Sequence, residues 1–157
     1  MKFVCVYGNS SLRLRGISIF VVPLHKSEIM SKIIRYNKLK EDHIGGNAFD
    51  ICRPNVFGNP YTHIKDRGTL ASIKVKNRDE AIDAYAAYFD AMLKDDSEAG
   101  EIFRNEWDKL YDAYKQFDVI YLGCFCNEDE RCHGDVIKEK LIARSIKEKI
   151  NNLKRKK

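Results

Sequence analysis

The stretch Asp118-Val-Ile-Tyr-Leu-Gly-Cys-Phe-Cys126 restricts the fold of this chain more than any other segment. From Val119 onward it is apolar at almost every position instead of every second one. That is the pattern of a central strand covered by helices on both faces. A polar loop, Asn127 to Arg131, leads from it to Cys132-His133-Gly134-Asp135. Beyond that, Ile137, Leu141, Ile142, Ile146 and Ile150 recur at helical spacing.

The rest of the chain supplies partners for that strand. Ser31–Leu39 reads as a strand, and Gly45-Gly46-Asn47 breaks the chain after it. Ala48–Cys52 reads as a second short strand, stopped by Arg53-Pro54, and the turn-rich loop Asn55–Tyr61 follows. Asn77, with Glu80 three residues on, predicts a capping box. A helical stripe through Ile82, Tyr85, Phe89 and Met92 comes next. After Asp95-Asp96-Ser97, a second stripe runs through Phe103, Trp107, Leu110 and Tyr114. Aromatics at this spacing read as core, not as a base-stacking surface. The order of elements predicts an α/β fold: a small sheet with at least two core strands, 48–52 and 118–126, flanked by three or more helices. The helical crossover between those strands allows them to be parallel.

Length and charge settle the organisation. With 157 residues, 44% of them apolar and 32% charged, the chain suits one globular domain rather than a disordered or fibrous class. The organisation expected is an N-terminal extension, 1–30, with no assigned role, a single α/β domain over 31–150, and a basic tail, 151–157. No apolar run approaches the ~20 residues of a membrane span, so no membrane partner is expected. Arg13 and Arg15 before Ile17–Leu24 imitate a signal peptide faintly, without a small-residue cleavage site. Met30 offers an alternative functional start. The net charge of +5 is uneven: residues 31–137 carry fifteen Lys/Arg against twenty Asp/Glu, and the basicity sits at the two ends. A basic tail on an acidic body reads first as a solvated end and only weakly as a nucleic-acid footprint. Five cysteines, an odd number with three crowded at 124–132, suggest reduced thiols and a cytoplasmic setting.

Two loops hold the candidate chemistry. In open α/β sheets ligands bind beyond the carboxyl ends of the strands, and both loops fall there. In the first, Arg53 could clamp a phosphate or carboxylate, Asn59 could meet a base or sugar with its amide, and Gly58 and Pro60 shape the turn. His63 lies close enough to that turn to join a site, whereas His43 and Cys52 read as solvated and core respectively. In the second loop, Gly134 would open a helix whose free N–H groups favour an anion. Three readings of its thiols stay open. Cys124, Cys126, Cys132 and His133 are zinc-compatible ligands within ten residues, although the adjacent pair Cys132-His133 should point apart and strain one tetrahedron. Cys126 or Cys132 could instead be a nucleophile activated by His133, with Asp135 as orienter or acid/base. Or the cysteines are small core residues and His133-Gly134-Asp135 simply caps a helix.

Three motifs together resemble a known family. Arg53-Pro54-x3-Gly58-Asn59-Pro60-Tyr61, a helix opening on Asp79-Glu80-Ala81-Ile82-x2-Tyr85, and Leu122-Gly-Cys-Phe-Cys126-x5-Cys132-His-Gly-Asp-Val-Ile137 resemble the family catalogued as domain of unknown function 4326. That family is spread through bacteria and their viruses, which implies one compact domain and a phage or prophage setting. Its members usually carry Trp between the two cysteines and a proline in the following loop; here those are Phe125 and Asn127–Arg131. The resemblance implies no reaction. The residues themselves lead to the expectation of a nucleotide or other phosphorylated small molecule bound in a crevice between the two loops, with transfer or hydrolysis at that ligand as the reaction expected if the domain is an enzyme. The alternatives are a zinc-stabilised, non-catalytic binding module, or a virus-encoded protein that sequesters a nucleotide or binds a host protein.

Overall fold

Alternating and continuous apolar runs become three parallel strands. In the computed structural model, which describes residues 30–64 and 68–156, they are β1 (Lys32–Asn37), β2 (Ala48–Asp50) and β5 (Val119–Cys124), in the order β1-β5-β2. The N-terminal extension, with its basic and apolar leader-like segments, lies outside the described residues. Ile33 pairs with Ile120 and Asn37 with Cys124 on one side of β5, and Phe49 pairs with Leu122 on the other. The most continuously apolar strand thus takes the centre, where both of its edges are hydrogen-bonded.

Between β2 and β5 the chain forms a small second ladder and two helices. β3 (Tyr61–Thr62) and β4 (Ile73–Lys74) pair in parallel over two residues each. α1 (Arg78–Met92) starts at Asn77, whose side-chain oxygen accepts from the Glu80 N–H at 2.8 Å. The Glu80 carboxylate reaches back to the Lys76 N–H, also at 2.8 Å, one residue before the cap. α2 (Glu98–Gln116) is capped by Ser97, and α3 (His133–Arg155) by Cys132. α3 does not stop near 150. Lys154 and Arg155 form its last turn, where the helix dipole favours positive charge, so most of the expected basic tail is helical. No helix among the described residues is long and apolar enough to cross a membrane.

The core lies on one face of the sheet. Ile33, Ile51, Ile120, Leu122 and Cys124 point into it and meet Tyr85 and Phe89 of α1, Phe103, Trp107, Leu110 and Tyr114 of α2, and Ile137 and Leu141 of α3. The aromatic stripes are core: the Phe89 ring stands edge-on to Phe103 at 4.8 Å and to Trp107 at 5.0 Å. Ile146 and Ile150 remain about half exposed, because α3 runs past the edge of that core. The opposite face corrects the expectation of helices on both sides. Among the described residues it is covered by side chains alone. Tyr36 packs over Gly123, where any Cβ would lie 2.7 Å from the Tyr36 hydroxyl, and His43 stacks on Tyr121 at 4.0 Å. His43, expected in solvent, is therefore half-buried between rings.

Phe89 sits where all three helical contributions meet and is fully buried. Phe89→Ala should lower the unfolding free energy by about 3–5 kcal/mol, measured as a fall in the urea midpoint at unchanged slope. A loss below 1 kcal/mol would mean the aromatic cluster packs otherwise.

Candidate functional site

The end of β5 and the start of α3 bring sulfur and nitrogen together. Cys124 closes β5, and the Cys126 Sγ lies 3.5 Å from the Cys124 Sγ. The Cys132 Sγ lies 3.4 Å from Cys124 Sγ on the other side. His133 follows directly, and its Nδ1 is 3.5 Å from Cys132 Sγ and 4.0 Å from Cys124 Sγ. The expected clash between adjacent ligands does not arise, because the backbone changes state between them. Cys132 is extended, at φ −142° and ψ 152°, while His133 is the first helical residue, so both side chains turn to one point.

His133 is held from behind. Its Nε2 lies 2.8 Å from the Ile51 carbonyl oxygen, which can only accept, so Nε2 carries the hydrogen and Nδ1 presents a lone pair to the sulfurs. The Tyr85 ring stands edge-on to the imidazole at 5.2 Å. Cys124, Cys132 and His133 are all buried, and Cys126 is half-buried. Hydrogen bonding with the neighbouring Cys126 and Cys132 thiols holds the Cys124 thiol below its usual range, against the opposing effect of burial. Cys132 is pushed up, first by its bond to Cys124, and Cys126 and Cys52 are raised by the same partner.

Gly134 and Asp135 belong to the helix cap and not to a ligand site, contrary to the expectation from sequence. The Gly134 N–H, which was to meet an anion, points at Cys132 Sγ at 3.4 Å. The Asp135 carboxylate accepts from the Cys132 N–H at 2.9 Å, a capping box with cysteine in the place of serine. Its other oxygen is 3.2 Å from Arg35 Nε. Asp135 is thus committed as a structural anion and does not line the cleft described below.

The Arg-Pro loop divides in the same way. Gly58 packs against Arg53 so tightly that a Cβ would lie 2.8 Å from the Arg53 N and Cα, and so it sets the turn and does not touch ligand space. The Pro60 carbonyl accepts from the Ile73 N–H at 3.1 Å and anchors β4. Both ends of the Asn59 amide are occupied: Nδ2 donates to the Ala81 carbonyl at 3.1 Å, and Oδ1 accepts from the Tyr61 N–H at 2.9 Å. Asn59 therefore ties the loop to α1 and cannot also read a base. Arg53 differs. Its Nη1 donates to the carbonyls of Asn59, at 2.6 Å, and Tyr61, at 3.4 Å, and no carboxylate among the described residues pairs with it.

The two loops border one cleft of about 420 Å³ at the carboxyl ends of β2 and β5. Cys52, Arg53 and Asn59 line it from one side, and Cys124, Cys126, Cys132 and His133 from the other. His63 joins the wall, as do Tyr61 and Phe125. Among the described residues its charged lining consists of Arg53, Arg78, Arg131 and Glu130. Arg78 donates to Glu130 at 3.0 Å and approaches Cys126 Sγ at 3.8 Å, while Arg131 pairs with Asp79 and Asp83.

Two arginines escaped the sequence reading. Arg78 opens α1 and looks like any first-turn residue. Arg35 had a visible signal, a charge two residues after Ile33 on the core-facing side of β1. It donates to the carbonyls of Asn127 at 3.0 Å, Glu128 at 2.7 Å and Glu130 at 2.8 Å, and so it shapes the loop that presents Cys132. Arg35→Met should therefore cost about 1–3 kcal/mol in urea unfolding and speed amide exchange across 127–131. Arg131→Ala, which removes only surface pairs, should leave both nearly unchanged. Equal effects from the two substitutions would refute the clamp.

No curated protein and no solved structure matches the chain. One family model does, over residues 34–143, the span from β1 to the middle of α3 that contains both loops and all four clustered donors. The chain belongs to the family described as domain of unknown function (DUF4326).

Proposed function

We propose that the domain binds a phosphorylated small molecule, with nucleotides the best-fitting class, in the cleft between the two loops, and that it holds this ligand without transforming it. The observation that carries the reading is the state of Arg53. Two backbone carbonyls fix its guanidinium in place without neutralising it, and it has no carboxylate partner among the described residues. A half-buried, planar guanidinium that is positioned but not paired suits two oxygens of an anion such as phosphate. The cleft volume of about 420 Å³ falls within the range of small-molecule sites. Tyr61 and Phe125 add aromatic faces that a base or sugar could lie against.

Holding is favoured over hydrolysis or transfer by the fate of the expected acid/base groups. His133 has one nitrogen on the Ile51 carbonyl and the other against the sulfurs. Asp135 caps α3. The carboxylate in the cleft wall, Glu130, is paired with Arg78. None of these groups is free to move a proton at a bound substrate.

Calorimetric titration with nucleoside mono-, di- and triphosphates and inorganic phosphate tests this directly. At least one nucleotide should bind, be recovered intact by chromatography, and lose at least about tenfold in affinity in Arg53→Gln, the equivalent of one charge-assisted hydrogen bond. Because the variant also loses the bonds to the Asn59 and Tyr61 carbonyls, its binding is compared at a temperature where circular dichroism shows it folded. Nucleotide recovered as product would replace holding by turnover. Absence of binding across the panel, or undiminished affinity in the variant, would overturn the reading.

A further inference from the structure

The ligand reading gives the thiols of the buried thiol–imidazole cluster no role of their own, and the donor atoms of Cys124, Cys132 and His133 are grouped as those of a metal centre are. We infer that Cys124, Cys132 and His133, completed by Cys126, form a tetrahedral site for one zinc ion that staples the end of β5 to the start of α3.

Spacing is the first support. Zinc–sulfur bonds of about 2.3 Å at the tetrahedral angle place sulfurs about 3.8 Å apart, and a nitrogen ligand slightly closer to each sulfur. The distances here are 3.4 and 3.5 Å between sulfurs, and 3.5 and 4.0 Å from sulfur to Nδ1. The donor atoms of Cys124, Cys132 and His133 all lie within 4.8 Å of one another, and the half-buried Cys126, 3.5 Å from Cys124 but outside that group, has to turn inward to complete the tetrahedron.

Orientation is the second. A metal-binding histidine commonly donates its distal N–H to a carbonyl, which fixes the tautomer and aims the proximal lone pair at the ion. The Ile51 carbonyl does this for His133. The Gly134 N–H aimed at Cys132 Sγ, at the positive end of α3, likewise favours the thiolate that a metal requires.

Donor chemistry selects the ion. Three sulfurs and one imidazole form a soft set that suits zinc and excludes magnesium and calcium. Three thiolates around Zn²⁺ leave a single net negative charge, and Arg78, with Nη1 3.8 Å from Cys126 Sγ, stands beside the half-buried ligand to balance it. Binding converts the thiols to thiolates and releases their protons to solvent. Cys52 is not a ligand, since its thiol donates to the Gly123 carbonyl at 3.5 Å.

The test uses full-length protein purified under reducing conditions without a metal-affinity tag. Elemental analysis should find about one zinc per chain, and cobalt exchanged for zinc should show thiolate-to-metal charge transfer with the intense visible bands of tetrahedral coordination. Cys126→Ser should keep cobalt with weakened charge transfer, while Cys52→Ser should leave stoichiometry and spectrum unchanged. The wild-type spectrum alone decides the matter if variants fail to fold. Less than about a tenth of an equivalent of metal on folded, reduced protein, an octahedral spectrum, or a Cys124–Cys132 disulfide in freshly purified protein would each overturn the site. An Arg53→Gln protein that loses nucleotide but keeps the cobalt spectrum would show the two sites failing or standing separately.

Discussion

A buried hydrogen bond between the His133 Nε2–H and the Ile51 carbonyl oxygen joins residues 82 positions apart behind the wall of the cleft that His133 lines. Without it the end of β2 and the start of α3 would share only apolar contact. It selects the imidazole tautomer, and the tautomer decides which nitrogen faces the sulfurs. It also sets the height of α3 above the sheet, where a Cβ on Gly134 would meet Ile51 Cδ1 and Arg35 Cδ at 2.9 Å. Backbone and side chain approach so closely that no larger residue fits between them. The convergence of the two loops is therefore a consequence of how α3 docks, not of any flexibility in the loops.

The elements with strong periodicity were legible: β5 from its unbroken apolar run, α1 and α2 from their aromatic stripes and caps, and α3 from its spacing. The β3–β4 ladder was not, because two residues on each side show no period. Sheet coverage was misjudged because Tyr121 and Gly123 look apolar in sequence. In the structure one stacks on His43 and the other yields its place to Tyr36. In the site, the donors of the Cys-His cluster could be named from spacing alone. The roles of Asn59, Gly134 and Asp135 could not. An amide, a backbone N–H and a carboxylate advertise hydrogen-bonding capacity in a sequence, but that capacity says nothing of whether the protein's own backbone has already claimed it. In all three cases it has.

The same distinction separates arginines of identical chemistry. Arg131 meets Asp79 and Asp83 at the surface, Arg78 meets Glu130, and Arg35 meets three carbonyls and Asp135. Surface pairs of this kind contribute little to stability. Around the cleft, the pairs of Arg78 and Arg131 neutralise positive charge and leave Arg53 as the cation without a carboxylate partner among the described residues. The acidic excess of residues 31–137 is thus put to local use, and the overall net charge of +5 conceals it.

A staple at the Cys-His cluster and a ligand at Arg53 would share a floor. Cys52 adjoins Arg53 in the chain and touches Cys124 through its thiol, and both border the cleft. Any ion that fixes Cys124 and Cys132 reduces the number of conformations open to the 127–131 loop, which forms the opposite wall. Ligand binding then has less order left to impose, so the two events favour each other even without direct contact. Linkage makes that coupling reciprocal: whatever factor the metal contributes to ligand affinity, the ligand must return to metal affinity. The spacing that joins Cys124 at the end of β5 and Cys126 just beyond it to Cys132-His133 at the start of α3 would, with the proposed ion bound, set the shape of the cleft, and the Arg-Pro loop would then meet the proposed ligand.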